Sequence, residues 1–282
     1  MGHEKRAAFI AFASNVVLFF LKISAALMSG SLAVLSSAFD SLNDILSYFL
    51  GYYSIKQVAR GPDRGHPFGH RRMEPLVAIL MAVFAGILAF EVIRSASFNI
   101  FVGKKAVDIT FYTFFVLAFT VVVKLITYSF LKQKARKTMS TALEAMAMDS
   151  RNDVLSNSVA ILGIVGAYYG VLLFDDIAAV LIAIYIGYSG YRIAKKNFDY
   201  VVGARPAEKT IRAIHRKALV RGVKRVSRIR AHYVGDRVHA EVEVVLDRKL
   251  KGPESHDIGV RVQKSVESIK IVSRAFVHMD YE

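Results

Sequence analysis

Apolar residues run almost unbroken through six stretches of this chain, residues 7–28, 32–58, 76–102, 109–131, 142–173 and 177–193, and short polar segments separate them. A helix needs roughly 17–25 apolar residues to cross the hydrocarbon core at about 1.5 Å per residue, so each stretch is predicted to be a membrane-spanning helix. The first stretch follows a basic start at Lys5 and Arg6 but is too long for the apolar part of a signal peptide and ends in no small-residue cleavage site, so it is expected to stay as a helix. After Gly203 the period changes. Ile211, Ile214, Ala218 and Leu219 mark an amphipathic helix. Val238, Ala240, Val242, Val244 and Leu246 alternate as a half-buried strand, reached from residues 227–233 through a Gly235-Asp236 turn. Ile258, Val262, Val266 and Ile269 predict a second helix, and Ala275, Val277 and Met279 a closing strand. The expected fold class is an all-α six-helix transmembrane domain, residues 1–203, followed by a cytosolic αββαβ domain of ferredoxin-like type, residues 204–282.

Charge orients the helices. Lys5 and Arg6, then Arg60, Arg64, Arg71 and Arg72, then Lys132, Lys134, Arg136 and Lys137, then Arg192, Lys195 and Lys196 fall in alternate connections, against Lys104 and Lys105 on the other side. Cytoplasmic connections carry the excess of Lys and Arg, so both termini are expected in the cytoplasm. The formal net charge of +15 raises the question of nucleic acid. The tail lacks an aromatic-basic stacking stripe and lies beneath an anionic leaflet, so its basic surface is read as solvated or lipid-facing, with no nucleic acid as partner. Cysteine is absent, which leaves oxygen and imidazole as the strong metal ligands. No Ser/His/Asp triad or phosphate-cradling glycine loop is present, so no catalytic residue, enzyme activity or organic cofactor is expected.

The chemistry is carried by two Asp pairs inside apolar stretches, Asp40/Asp44 and Asp149/Asp153. A carboxylate at bilayer depth costs roughly 2.5–3.5 kcal/mol on insertion scales, so four of them require a cation as partner. Residues four apart share one helix face, so each pair can aim its oxygens at one ion. Four carboxylates around a divalent cation leave excess negative charge, which gives protons a route to replace the metal when it leaves. The plainer alternative is that these residues hydrogen-bond Ser36, Ser37, Asn43 or Asn152, or pair with Lys22 or Lys124. Lys22, Lys124 and Glu144 interrupt apolar runs deeply enough to act on the Asp group. Functions from other classes that share these features are a membrane metal sensor without flux and an intramembrane aspartyl protease. The protease needs one opposed dyad rather than two i, i+4 pairs.

Residues 29–76, with their Asp-x-x-x-Asp helix and Pro-Asp-x-x-His-Pro-Phe-Gly-His loop, residues 147–162 and the αββαβ tail together resemble the cation diffusion facilitator family. The resemblance implies a homodimeric exporter of divalent metal, coupled to proton influx, in a bilayer that is here expected to be the plasma membrane. Asp40, Asp44, Asp149 and Asp153 are its implied transport site. The first, second, fourth and fifth helices are implied to tilt as a unit while the third and sixth make the dimer. Zinc members usually place His where this chain has Asp149, and Asp-x-x-x-Asp on both helices resembles the manganese branch. A hard, oxygen-only site favours Mn²⁺, with Fe²⁺, Zn²⁺ and Co²⁺ as alternatives.

Two further groups have metal-ligand character. Asp63, His66 and His70 lie in the loop beside Pro67 and Gly69, where a bend can gather them on one ion; the resemblance implies an auxiliary site there. In the tail, His239, Glu241 and Glu243 share one polar strand face, and His278 and Asp280 another. Glu243, His256, His278 and Asp280 resemble the family's cytosolic interface site, although Glu243 and Ser227 stand where zinc members carry His.

Overall fold

The computed structural model describes residues 2–29, 32–102, 111–168 and 173–282, and some side chains within the helices, that of Asp40 among them, lie outside the described residues. The chain divides into two compact units, Met1–Asn197 and Phe198–Glu282. Six long helices are described before the tail: α1 Gly2–Ser29, α2 Leu32–Val58, α3 Met73–Val102, α4 Phe111–Thr138, α5 Thr141–Tyr168 and α6 Leu173–Val202. Segments of α1 (Glu4–Ser24), α3 (Met73–Phe98) and α4 (Phe114–Thr138) are long and apolar enough to cross a membrane on that basis alone. The helices α2 and α5 carry the Asp residues and Lys56, or Glu144 and Arg151, which lowers their apolar content.

The helical unit inverts the order of a water-soluble protein. Phe20, Phe90 and Ile126 stand exposed on its outside, whereas Asn15, Lys22, Ser47, Ser54, Lys124, Ser150 and Asn152 are buried. Outward apolar side chains suit hydrocarbon, and inward polar ones find partners inside the bundle. Small residues allow the close approach. Ala7, Ala8 and Ala11 of α1 pack in one core with Tyr48, Leu131, Leu143 and Met146. A Cβ at Gly51 would lie 2.7 Å from the Met146 sulfur, and one at Gly190 would lie 3.1 Å from the Ala82 carbonyl oxygen, so these glycines set the α2–α5 and α3–α6 spacings.

Helix ends depart from the hydropathy pattern for local reasons. The pattern ends the fourth stretch at 131, but α4 continues to Thr138 because Lys, Gln and Arg are good helix formers. It stops at Met139, whose φ of 63° is left-handed. Ser140 then caps α5: its Oγ accepts the Leu143 N–H at 3.3 Å and donates to Glu74 of α3 at 2.6 Å. The helix α6 ends on Gly203, at φ 84°, where the Ala204 N–H returns to the Asp199 carbonyl at 2.8 Å, a Schellman-type closure.

The second unit has the order α7 (Glu208–Ala218), β1 (Arg225–Val234), β2 (Arg237–Leu246), α8 (Gly252–Glu267) and β3 (Val272–Tyr281). Strands β1 and β2 are antiparallel, β2 and β3 parallel, and the sheet order is β1-β2-β3. Gly235, at φ 64°, takes the first central position of the two-residue hairpin turn, which demands positive φ. A parallel neighbour needs a crossover, and α8 supplies it. Val238, Ala240, Val242, Val244 and Leu246 face Ile211 and Ile214 of α7 and Ile258, Val262 and Val266 of α8 in one core. The other sheet face carries Glu241, Phe276, His278 and Asp280 in exposed positions.

Candidate metal centre

Three of the four Asp residues of the two i, i+4 pairs converge. Asp44 of α2 and Asp149 and Asp153 of α5 each place a carboxylate oxygen within 4.8 Å of the others, all half-buried. Asp40, one turn before Asp44 on α2, has its side chain outside the described residues. The spacing of four brings Asp149 and Asp153 to one face of α5, and the α2–α5 packing at Gly51 and Met146 brings Asp44 to them. Asp149 Oδ2 is buried and receives no hydrogen bond. A buried carboxylate oxygen without a donor is costly, and a cation at this point removes the cost.

The fourth member is Lys124 of α4, only 2% exposed. Its Nζ donates to Asp44 Oδ2 at 2.9 Å and also to Asp153 Oδ2. The three carboxylates outnumber the Lys124 ammonium that bridges two of them, so the group has oxygens to offer a further cation. Beneath the ammonium, the Tyr48 ring lies with its centroid 5.3 Å from Nζ. The Tyr48 hydroxyl is held against Ser150 Oγ and donates to the Met146 carbonyl at 3.1 Å. Tyr48 and Ser150 went unnoticed in the sequence, although Tyr48 follows Asp44 by one helical turn and Ser150 adjoins Asp149. Lys22 is buried too, at 4% exposure. Glu144, expected at depth, instead pairs with Lys196 at 2.6 Å, both about half exposed, because it sits in the first turn of α5.

The loop between α2 and α3 brings its three residues together. Asp63, His66 and His70 also offer ligand atoms within 4.8 Å of one another. Asp63 Oδ1 accepts the His66 backbone N–H at 2.7 Å, and the imidazole rings lie 4.5 Å apart. That backbone bond first, and His70 and His66 after it, hold the Asp63 carboxyl below the usual carboxylate range. The Asp63 turn therefore holds at and above the ordinary carboxylate value of about 3.9 and is lost only as pH falls through the depressed one. His70 Nδ1 lies 3.1 Å from the Gly61 carbonyl oxygen. A carbonyl only accepts, so Nδ1 carries a proton there and Nε2 is the nitrogen that faces Asp63. This Nε2 lies 3.3 Å from Asp63 Oδ2. Two lone pairs at that distance repel unless a proton or a metal ion lies between them.

The four tail residues do not gather in one chain. Glu243 and His278 are register partners on β2 and β3, and His278 Nε2 lies 3.2 Å from Asp280 Oδ1. His256 lies on α8, which packs on the opposite face of the sheet. Among the described residues the α2–α5 Asp group and the loop group alone bring three such ligands together.

The profile described as the cation efflux transmembrane domain matches residues 8–202, and that of the cation efflux protein cytoplasmic domain matches residues 206–282. An uncharacterized transporter, MJ0449 of Methanocaldococcus jannaschii, is 30% identical over 281 residues, covering 99% of both chains. The manganese efflux system protein MneS of Bacillus subtilis is 25% identical over 97% of this chain and 94% of its own. Metal tolerance protein 11 of Arabidopsis thaliana is 26% identical over 95% of this chain and 69% of its own. A solved MamM CTD matches 27% of this chain and 96% of its own at 27% identity, with a TM-score of 0.26.

Proposed function

The chain belongs to the cation efflux family of metal transporters, and from that premise we propose that it exports Mn²⁺ from the cytoplasm in exchange for protons. As a member it is a membrane transporter rather than an enzyme, with a helical membrane domain and a cytoplasmic α+β domain. The observation that carries the finer reading is the meeting of Asp44, Asp149 and Asp153 from two helices. Asp40, four positions before Asp44 in the sequence, is the proposed fourth ligand.

Manganese is favoured over zinc because every ligand in this set is a hard oxygen. The manganese efflux function in the name of MneS points the same way. Zn²⁺ binds more tightly than Mn²⁺ to a given site, so selectivity here rests on ligand type and coordination number. Protons serve as counter-ions because carboxylates that lose a divalent partner inside a bilayer repel each other until some are protonated. All six helices span the plasma membrane, with both termini in the cytoplasm, and the division falls at residues 203 and 204. The protein works as a homodimer, which the description of the matched cytoplasmic domain family supports. In the dimer, Glu243, His256, His278 and Asp280 contribute to a cytosolic metal site between the two tails.

Reconstituted protein is tested with Mn²⁺, Fe²⁺, Co²⁺, Zn²⁺ and Cd²⁺, with and without a pH gradient. Uptake of Mn²⁺ that accelerates with the gradient is the expected result. Transport of Zn²⁺ with neither transport of Mn²⁺ nor competition by it would overturn the assignment. Asp63, His66 and His70 act as an auxiliary site. The double substitution His66→Ala, His70→Ala is expected to remove one bound metal per chain and to slow uptake severalfold. Metal binding at the loop should weaken by at least about tenfold, since even outer-shell changes cost that much. Unchanged stoichiometry, read by elemental analysis, together with unchanged uptake would reduce the loop to ordinary polar surface.

A further inference from the structure

Lys124 is a buried cation placed among the residues assigned to bind a cation, and the two roles compete for the same atoms. Its Nζ reaches Oδ2 of Asp44 on α2 and Oδ2 of Asp153 on α5, so one side chain from α4 ties together the two helices that supply the ligands. A divalent ion bridging those carboxylates needs the oxygens that Lys124 holds, and at such close range the two positive charges repel strongly in a medium of low dielectric. The third carboxylate, Asp149, keeps an undonated oxygen, so the ammonium satisfies only part of the group.

We propose that Lys124 is a tethered counter-cation that alternates with the substrate metal at Asp44 and Asp153. The proposal rests on the assignment of those residues as the transport site. The ammonium draws the carboxylates together when the metal has left, and it withdraws when the metal enters. A place for the withdrawn charge is at hand in the Tyr48 ring face, 5.3 Å from Nζ at its centroid. That ring is fixed by its hydroxyl contacts to Ser150 and Met146, and a flexible four-carbon stem lets the ammonium slide over it. The consequence is a bound state weaker than the carboxylates alone would give. A metal that must be released on the far side gains from this, because returning Lys124 displaces it.

The experiment compares Lys124→Met, Lys124→Gln and Lys124→Arg in full-length protein, with Mn²⁺ binding measured in detergent and uptake measured in proteoliposomes. Loss of the charge in Met and Gln is expected to tighten Mn²⁺ binding by about tenfold and to lower the maximal uptake rate while lowering KM. Arg keeps the charge and is expected to hold affinity near that of the parent. Gln retains hydrogen bonding to both carboxylates, so it serves if Met does not fold, and Mn²⁺ bound at the loop group reports an intact chain. Parental affinity and turnover in the Met and Gln variants, or weaker binding in either, overturns the counter-cation role. Asp44→Asn and Asp153→Asn are run beside them. If these lose flux while Lys124→Gln behaves as the parent, the counter-cation idea alone fails; if these transport as the parent does, the transport site itself is misassigned and the proposal falls with it.

Discussion

Asp153→Asn and Asp44→Asn are each expected to lower Mn²⁺ uptake by at least about a hundredfold, equivalent to about 2.7 kcal/mol of lost interaction. Both residues offer an oxygen to the shared group and both hold Lys124. The amide preserves side-chain shape and can still accept a hydrogen bond from the ammonium, but it removes the charge that makes a hard cation bind. Loss of structure competes with this explanation, because breaking a buried ion pair typically costs about 3–5 kcal/mol. Asn is therefore preferred to Ala, and each variant must elute as the parent does and keep the metal proposed to bind at the loop group. Uptake within about twofold of the parent in a folded Asp153→Asn protein would remove the transport site from this position.

Asp149→His should change which metal is moved rather than whether one is. Its free carboxylate oxygen receives no donor, so the exchange cuts no hydrogen bond at that atom. An imidazole facing Asp153 across one helical turn turns an oxygen-only set into a mixed nitrogen and oxygen set, the arrangement that zinc members of the family usually have. Borderline ligands favour Zn²⁺ over Mn²⁺. The ratio of Zn²⁺ to Mn²⁺ uptake is expected to rise by a factor on the order of ten to a hundred, or about 1.4–2.8 kcal/mol of differential binding. A competition assay in mixed-metal proteoliposomes measures it directly, and an unchanged ratio would show that Asp149 does not set selectivity.

Much of the molecule was legible because hydrophobic pattern and helix geometry act over short distances. The spacing of Asp149 and Asp153 alone places them on one face, and they do meet. The αββαβ order followed from a change of period after Gly203. The ends of α4 and α5 were less legible. Hydropathy stops where Lys and Arg begin, but helix formation continues until Met139 turns left-handed and Ser140 caps the next helix. Glu144 shows the same limit, since an acidic residue inside an apolar run reads as deep until the first helical turn puts it beside Lys196.

By itself the sequence determined that charged oxygens lie within apolar helices, that His66 and His70 share a bend with Asp63, and that an amphipathic tail follows, because each depends on residues a few positions apart. Tertiary structure decided the rest. It selected Lys124 as the partner of Asp44 and Asp153, set Asp44 beside the α5 pair, and put His256 on the far side of the sheet from His278. These outcomes depend on how helices and strands register across space, through contacts such as Gly51 against Met146, and no spacing along one element encodes that register.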